Sequence, residues 1–288
     1  MTLAFLNDEY LPLDQARISP MDRGFLFGDG IYEVIPTQNG KAIGLSAHLQ
    51  RMSRGLNDIE IPNPMQKKQW ESVIQTLVTH NATEFESSSI GVYLHVSRGT
   101  AAQRNHAYND KMVPTVFCYA FEMAAPPVPD RTAVKGLHVA LGRDLRWQRC
   151  HIKSTSLLGN VLHYQQGVTQ GKQETILLNQ HDEVTEAASC NVFAVIDGQI
   201  VTPALDHQLL PGITRQLVIQ SLREEGTIVR ERAITKNALL QADEVWLSSS
   251  SKEITPVLSI DGIPVGEGCP GPVWEESLRK FNKHKFTF

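Results

Sequence analysis

The chain has 288 residues, a formal charge of −4, 41% apolar residues and 20% charged residues. Because a single core rarely grows past roughly 250 residues, this length predicts one large or two modest domains. The mild negative charge and the lack of a Lys/Arg stripe argue against a nucleic-acid-binding protein.

The first 123 residues alternate strand and helix patterns. Residues 30–45 form two extended runs around Asn39-Gly40, a strong signal for a β-hairpin. Residues 47–59 and 66–81 are expected to be helices, and the second has one apolar face. Two strands are predicted next, in "SIGVYLHVSRG" and "PTVFCYAFEM".

The segment "AAPPVPD", residues 124–130, contains three prolines in four positions. Such a run is stiff and extended, which is typical of a linker. We therefore expect a small N-terminal α/β domain at 1–123 and a larger C-terminal domain at 131–288.

The second part is also predicted to mix strands and helices. A strand in "LHVAL" leads towards a helix beyond residue 157, and a strand in "ETILLN" follows. Hairpins are expected around Asp197-Gly198 and Asp261-Gly262, with a helix in "GITRQLVIQSLREEG" and a strand in "DEVWLSSSS". So many hairpins disfavour a plain parallel doubly wound sheet and favour an α+β or mixed α/β fold.

Lys153, in "RCHIKSTSLLGN", is predicted to lie where a strand passes into a helix. The apolar residues that follow, Leu157, Leu158, Val161 and Leu162, have the spacing of a buried helix face. For an isolated lysine the commoner outcome is a buried stem with a solvated ammonium group. A desolvated lysine would instead have a lowered pKa and a free lone pair, which suits bonding to a carbonyl.

Two further sequence features are relevant to the chemistry of this lysine. Gly212 precedes an apolar helix, so the N–H groups of Ile213 and Thr214 are suited to a phosphate, although on its own this pattern is more often an ordinary helix start. Glu186 is either an exposed turn residue or a buried partner for a cation. A lysine for an aldehyde, a helix end for a phosphate and an acid for a ring nitrogen are the needs of pyridoxal phosphate.

The remaining sequence patterns concern the cellular compartment and the kinds of segment or site that are not expected. Four dispersed cysteines, with no C-x-x-C pair, favour a reducing, cytoplasmic compartment. No signal peptide, membrane span or metal-ligand spacing is expected from the sequence.

The sequence resembles the class IV, fold-type IV pyridoxal-phosphate aminotransferases, most closely the D-amino-acid transaminase branch. The resemblance runs in order through "DRGFLFGDGIYEV", "HLQRM", "RCHIKSTSLLGNVL", "EVTEAASCNVF", "LLPGITRQ" and "SSSSKEITPV". It implies a two-domain fold with a small α/β domain and a larger mixed, β-barrel-like domain. It also implies a homodimer that uses pyridoxal 5'-phosphate.

The resemblance assigns roles to individual residues. Lys153 matches the Schiff-base lysine that also moves protons, and Glu186 matches the acid that hydrogen-bonds the pyridine nitrogen. The other cofactor-binding positions implied by the family are Arg51, Leu210, Ile213, Thr214, Ser249 and Ser250.

The substrate site is implied by three residues. Tyr32, with Arg104 and His106 from the neighbouring subunit's loop, matches the set that holds the α-carboxylate of a D-amino acid. The expected reaction is ping-pong transfer of an amino group between D-amino acids, such as D-alanine or D-glutamate, and 2-oxo acids. The alternatives are a branched-chain L-amino-acid aminotransferase, an aminodeoxychorismate lyase, or a phosphate-ligand binding module that has lost catalysis.

Overall fold

The computed structural model describes residues 1–288, which form two compact units. The first unit comprises Met1–Ala125 and Ile152–Leu157, and the second comprises Pro126–His151 and Leu158–Phe288. The boundary predicted at 124–130 remains a prediction about domain organisation. A boundary at these residues alone does not account for Ile152–Leu157, which belong to the first unit.

The first unit is built on a six-stranded antiparallel sheet with strand order β2-β1-β6-β5-β3-β4. Its strands are β1 (Leu3–Leu6), β2 (Glu9–Pro12), β3 (Gly30–Gln38), β4 (Lys41–Ala42), β5 (Ser89–Ser97) and β6 (Thr115–Glu122). Its helices are α1 (Arg23–Phe27), α2 (Leu45–Asp58) and α3 (Lys67–Asn81).

Local sequence explains much of this unit. The predicted β3–β4 hairpin is confirmed, and Asn39 and Gly40 take φ values of 49° and 76° at its turn. The predicted apolar face of α3 is confirmed as well, since Trp70, Ile74 and Leu77 are buried in the core. Inward-facing residues of the sheet complete this core, which fixes β3 as a rigid support for the residues described below.

The second unit contains a mixed nine-stranded sheet. Its strands are β7 (Leu137–Arg143), β8 (Glu174–Leu178), β9 (Val184–Ala187), β10 (Asn191–Ile196), β11 (Gln199–Thr202), β12 (Val229–Glu231), β13 (Glu244–Ser249), β14 (Glu253–Ile260) and β15 (Ile263–Pro264). Its helices are α4 (Leu158–Thr169), α5 (Ile213–Glu224), α6 (Lys236–Leu240) and α7 (Pro272–His284).

This sheet curls. In hydrogen-bonded order its strands are β12-β11-β10-β13-β14-β7-β8-β9. The last strand, β9, also contacts β10, and in the turn between them the Ala187 N–H donates to the Cys190 carbonyl at 2.7 Å. The end of the sheet therefore returns towards its beginning. The expectation of a mixed, barrel-like sheet is therefore confirmed. The hairpins at Asp197-Gly198 and Asp261-Gly262 are confirmed too, with all four residues at positive φ.

The expectation for α4 is wrong in one respect. Leu158, Val161 and Leu162 were predicted to form a buried face, but they are 71%, 56% and 62% exposed in the single chain. Periodicity identifies an apolar face without revealing what covers it. Nor does Lys153 lie at a direct passage from strand to helix, because an irregular connection runs from Arg143 to Leu158.

None of the helices combines enough length with enough apolar residues to traverse a bilayer.

Candidate active site

Lys153 is held on the edge of β3. The Tyr32 N–H donates to the Lys153 carbonyl at 3.1 Å, and the Thr155 N–H donates to the Gly30 carbonyl at 2.9 Å. The Thr155 hydroxyl adds a bond to the Gly28 carbonyl at 2.9 Å. The backbone on both sides of Lys153 is therefore fixed, and its side chain is partly buried with Nζ 4.2 Å from the centre of the Tyr32 ring.

A buried cluster of charged residues lies on the face of β3 opposite to the Tyr32 side chain. Glu33 has no exposed surface, and its carboxylate accepts two hydrogen bonds from Arg51, at 2.8 and 2.7 Å, and is 2.8 Å from His48 Nδ1. Burial raises the pKa of Glu33, but Arg51 and His48 outweigh it and hold the pKa at about 2. Burial lowers the pKa of His48, and the charges of Arg51 and Lys153 lower it further. Glu33 and Arg51 are thus a fixed ion pair beside a neutral imidazole.

The face of the sheet that carries Tyr32 is aromatic. The Tyr32 ring stacks on Tyr93 with centroids 5.8 Å apart, and the Tyr93 hydroxyl is 3.0 Å from His95 Nδ1. Burial raises the pKa of Tyr93 and lowers the pKa of His95. Both shifts favour the uncharged forms of Tyr93 and His95 at neutral pH.

Arg104 and His106 lie on an exposed loop between β5 and β6. The Arg104 guanidinium is 5.0 Å from the centre of the Phe27 ring, and the His106 ring is 5.4 Å from it. Arg104 forms no hydrogen bond or ion pair within the chain, and neither side chain bonds Tyr32 of the same chain. The structure thus leaves the guanidinium available to an external carboxylate.

In the second unit, Glu186 on β9 is buried and has three hydrogen-bond donors. Its Oε1 accepts from Arg146 Nη1, and its Oε2 accepts from the Leu210 N–H at 3.1 Å and from Asn191 Nδ2 at 3.2 Å. Burial raises the pKa of Glu186 to about 7, even though Arg146 and the Leu210 amide favour the carboxylate. Asp144, in turn, orients Arg146 through both carboxylate oxygens.

The start of α5 lies next to this acid. Gly212 begins the helix without a side-chain cap, so the first N–H groups of Ile213 and Thr214 have no partner in the helix. A Cβ at Gly212 would lie 1.9 Å from Asn191 Oδ1. The Asn191 side chain also donates to Glu186, so one amide contacts both the start of α5 and the buried acid.

One of the serines at the end of β13 lies opposite Asn191. Ser248 pairs with Asn191 across the strands, and its buried Oγ has no hydrogen-bond partner in the chain. Ser249 and Ser250 follow it and are partly exposed. The second unit therefore combines a buried carboxylate, unsatisfied helix N–H groups and serine hydroxyls.

The chain matches a model of the family described as amino-transferase class IV over residues 30–260. The chain belongs to the class IV aminotransferases. This membership agrees with a partly buried lysine on a strand edge and a buried acid beside an uncapped helix.

Curated relatives of this class IV aminotransferase cover nearly its whole length. D-alanine aminotransferase of Staphylococcus haemolyticus is 36% identical over 99% of this chain and 98% of its own. D-alanine aminotransferase of Listeria innocua is 35% identical over 93% and 91% of the two chains.

Solved structures show the same fold at lower identity. The branched-chain amino acid aminotransferase of Escherichia coli has a TM-score of 0.85 at 24% identity, covering 98% of this chain and 94% of its own. A hypothetical aminotransferase of Mycobacterium tuberculosis in its PLP-bound form has a TM-score of 0.84 at 21% identity, covering 99% of both chains. The predicted two-domain fold-type IV architecture is thereby confirmed.

Class IV aminotransferases use pyridoxal phosphate, and this class IV aminotransferase has residues that fit it. Glu186 offers an acceptor for a protonated ring nitrogen. The Gly212 helix start offers N–H donors to a phosphate, because no side chain caps it. Ser248 Oγ is a buried polar atom without a partner.

The predicted site residues are distributed over both units. Tyr32, Arg51, Arg104, His106 and Lys153 belong to the first, whereas Glu186, Leu210, Ile213, Thr214, Ser249 and Ser250 belong to the second. Their individual roles remain predictions.

Sequence reasoning missed the groups that support these residues: Glu33, His48, Arg146 and Asn191. One signal was available, because Ile31, Glu33 and Ile35 alternate on the buried face of β3. An acid between two inward-facing isoleucines requires a buried cationic partner.

Proposed function

We propose that this chain is a D-amino-acid transaminase that exchanges an amino group between D-amino acids and 2-oxo acids by a ping-pong reaction. The observation that carries the proposal is its 36% identity, over 99% of the chain, to a D-alanine aminotransferase. The other solved folds, including the branched-chain enzyme, share the architecture at 24% identity or less and so do not indicate a substrate.

When bound, pyridoxal phosphate supplies an aldehyde for the amino group and a ring that accepts electrons from the substrate's α-carbon. Lys153 is the covalent anchor for that aldehyde and the proton carrier of the reaction. In its neutral form, Nζ removes the proton from the α-carbon of the amino acid and returns a proton to the α-carbon of the product in the reverse half-reaction. The fixed backbone at residues 152–155 keeps this amine in position.

Glu186 holds a proton on the ring nitrogen. A carboxylate is required for this, and the bonds from Arg146, Leu210 and Asn191 stabilise one in a buried place. The cationic ring nitrogen would favour the carboxylate further, in opposition to the effect of burial on the pKa of Glu186.

The phosphate is assigned to the N–H groups of Ile213 and Thr214, the hydroxyls of Ser249 and Ser250, and Arg51. The uncapped start of α5 supports the first of these assignments. Arg51 Nε and Nη2 donate to Glu33, which fixes the orientation of the guanidinium that is assigned to the phosphate. Leu210 is assigned to the face of the ring.

The α-carboxylate of the substrate is assigned to Tyr32, Arg104 and His106. A guanidinium grips a carboxylate through two parallel hydrogen bonds. Since Arg104 does not bond Tyr32 of its own chain, the proposal requires Arg104 and His106 to serve the site of a second subunit. It therefore includes a homodimer.

The apolar face of α4 supports the homodimer. Leu158, Val161 and Leu162 are more than half exposed, and Leu145 and Trp147 extend the patch at 79% and 46% exposure. Leu145 lies beside α4 because its N–H donates to His163 on that helix, and Trp147 follows two residues later. Clustered exposed apolar side chains of this kind are typical of an interface between subunits.

A cytoplasmic location is part of the proposal. All four cysteines are free, and three of them are buried, which suits a reducing compartment.

The lysine assignment is tested with purified wild type, Lys153→Ala and Lys135→Ala, the last being an exposed lysine of the second unit. Each is assayed with D-alanine and 2-oxoglutarate, and pyruvate is measured. We expect turnover by wild type and Lys135→Ala, and a loss of at least about 10³-fold in Lys153→Ala. Full activity of Lys153→Ala would contradict the assignment.

A further inference from the structure

Two buried arginines share one aspartate beside the loop between β5 and β6. Asp29 Oδ2 accepts a hydrogen bond from Arg23 Nε and another from Arg98 Nε, both at 2.8 Å. Arg23 and Arg98 are only 4% and 5% exposed. Burial raises the pKa of Asp29, but the two arginines outweigh it and lower the pKa. We call these three residues the arginine clamp.

The remaining N–H groups of Arg23 bind the loop itself. Nη1 donates to the Asn105 carbonyl at 2.5 Å, and Nη2 donates to the His106 carbonyl at 2.9 Å. Asn105 lies between the two residues assigned to the substrate, Arg104 and His106, and the second carbonyl is that of His106 itself. One guanidinium thus fixes the backbone of the short segment that carries them.

Arg98 holds the next residues. Its guanidinium lies 3.5 Å over the Tyr108 ring, and the Tyr108 hydroxyl donates to Glu60 at 2.8 Å. Arg98 also donates to the carbonyls of Ile59 and Glu60, at 2.6 and 3.0 Å. The clamp therefore links the loop to the end of α2, which belongs to the packed core of the first unit.

The loop is open to solvent on one side. Residues 100–103, 109 and 111–114 line an open pocket of about 1060 Å³, and so do Asn105, Ala107 and Tyr108. Since this side of the loop has no packed side chains against it, the hydrogen bonds of the clamp hold the segment that carries Arg104 and His106.

We propose that the arginine clamp positions Arg104 and His106, and that Arg23 thereby sets the affinity of the enzyme for the α-carboxylate of its amino-acid and 2-oxo-acid substrates. This inference rests on the proposed function. Arg23 acts through the loop and does not touch the substrate. Misplacing a binding group by about 1 Å can cost roughly 100-fold in rate at subsaturating substrate.

The test compares three variants with wild type. Arg23→Gln removes the positive charge and the two hydrogen bonds to the carbonyls of Asn105 and His106. Arg23→Lys keeps a cation for Asp29 but cannot reach both carbonyls. Arg17→Gln is the matched control, because Arg17 also donates to two backbone carbonyls, at 2.6 and 2.9 Å, but is exposed and bonds Asp14 and Ala16 instead of the loop.

We expect the KM for D-alanine and for 2-oxoglutarate to rise at least about tenfold in both Arg23 variants, with kcat within about threefold of wild type. In an Arg104→Ala background, Arg23→Gln should raise KM by less than about threefold, because the part of its effect that passes through Arg104 is lost and only the part that passes through His106 remains. KM values equal to those of Arg17→Gln, or an effect that adds fully to that of Arg104→Ala, would overturn the inference.

Amide hydrogen exchange separates this inference from the proposed function. Within residues 104–108 the Ala107 N–H donates to Asn105 Oδ1 at 3.1 Å, and this amide should exchange at least about tenfold faster in Arg23→Gln than in Arg17→Gln, while the core of α3 stays unchanged. Unchanged exchange at 104–108 would overturn the clamp even in a fully active enzyme. Faster exchange in a chain that does not turn over D-alanine would support the clamp as a loop anchor and contradict the proposed function alone.

Discussion

Replacing Glu33 by Gln should destabilise the first unit, and the loss should depend on pH. The substitution keeps the shape of the side chain but removes the charge that faces Arg51 and His48. Arg51 is 5% exposed, so its guanidinium would be left buried without a counter-charge. The variant therefore loses a fully desolvated ion pair with two parallel hydrogen bonds.

The size of this effect follows from the lowered pKa of Glu33 and from the usual cost of breaking a buried ion pair. A decrease in the pKa of Glu33 from 4.5 in the unfolded chain to about 2 in the fold corresponds to about 3 kcal/mol of stability. Removing one partner of a buried ion pair typically costs about 3–5 kcal/mol. Because the folded pKa is lowered, this contribution is fully present above about pH 4.5 and is lost as the pH falls towards about 2.

Urea unfolding followed by Trp70 fluorescence, with the three other tryptophans replaced by Phe, measures the effect in the first unit. At pH 7 the free energy of unfolding should be about 3 kcal/mol lower in Glu33→Gln, and the difference should shrink below pH 4. Glu9→Gln, on the exposed strand β2, is the control and should change it by less than about 0.5 kcal/mol. A difference at pH 7 below about 1 kcal/mol, or one that does not vary with pH, would refute the reasoning.

Three further substitutions test the second unit. Arg146→Gln should raise the pKa of Glu186 further above about 7, moving the acid limb of the kcat/KM profile up by about one pH unit. Gly212→Ala places a Cβ 1.9 Å from Asn191 Oδ1 and should weaken pyridoxal phosphate binding at least about tenfold in an absorbance titration. Leu162→Asp puts one charge per subunit on the α4 face and should raise the dimer Kd at least about 100-fold in sedimentation equilibrium.

Each has its own control and contrary result. An unmoved acid limb in Arg146→Gln would separate Glu186 from the ionisation that limits activity. Gly226→Ala, with no atom within 4 Å of the added Cβ, should bind the cofactor as wild type does; equal affinity in Gly212→Ala would contradict the proposed phosphate site. Leu205→Asp, at a position 49% exposed outside the α4 face, should leave the dimer intact. A dimer equally stable in Leu162→Asp would place the interface elsewhere.

Much of the fold could be predicted because its signals are local. Asn-Gly and Asp-Gly turns fix three hairpins through backbone conformations that few residues adopt. The apolar period of α3 identifies a helix and its buried face together. The face of α4 was misassigned since the same period arises whether a helix packs inside one chain or against another subunit.

The supporting residues of the candidate site were harder to predict because their partners are distant in sequence. Glu33 meets Arg51 from a strand and a helix, and Arg146 meets Glu186 across 40 residues. Only the fold brings such pairs together. The arginine clamp is a further case, as Arg23 binds carbonyls more than 80 residues away.

The central claim is that this aminotransferase acts on D-amino acids, and the most direct measurement is a comparison of D-alanine with L-leucine, using 2-oxoglutarate as the acceptor. Formation of glutamate is followed for both donors under identical conditions. We expect a kcat/KM for D-alanine that exceeds the value for L-leucine by at least about 100-fold. Turnover of L-leucine alone would contradict it.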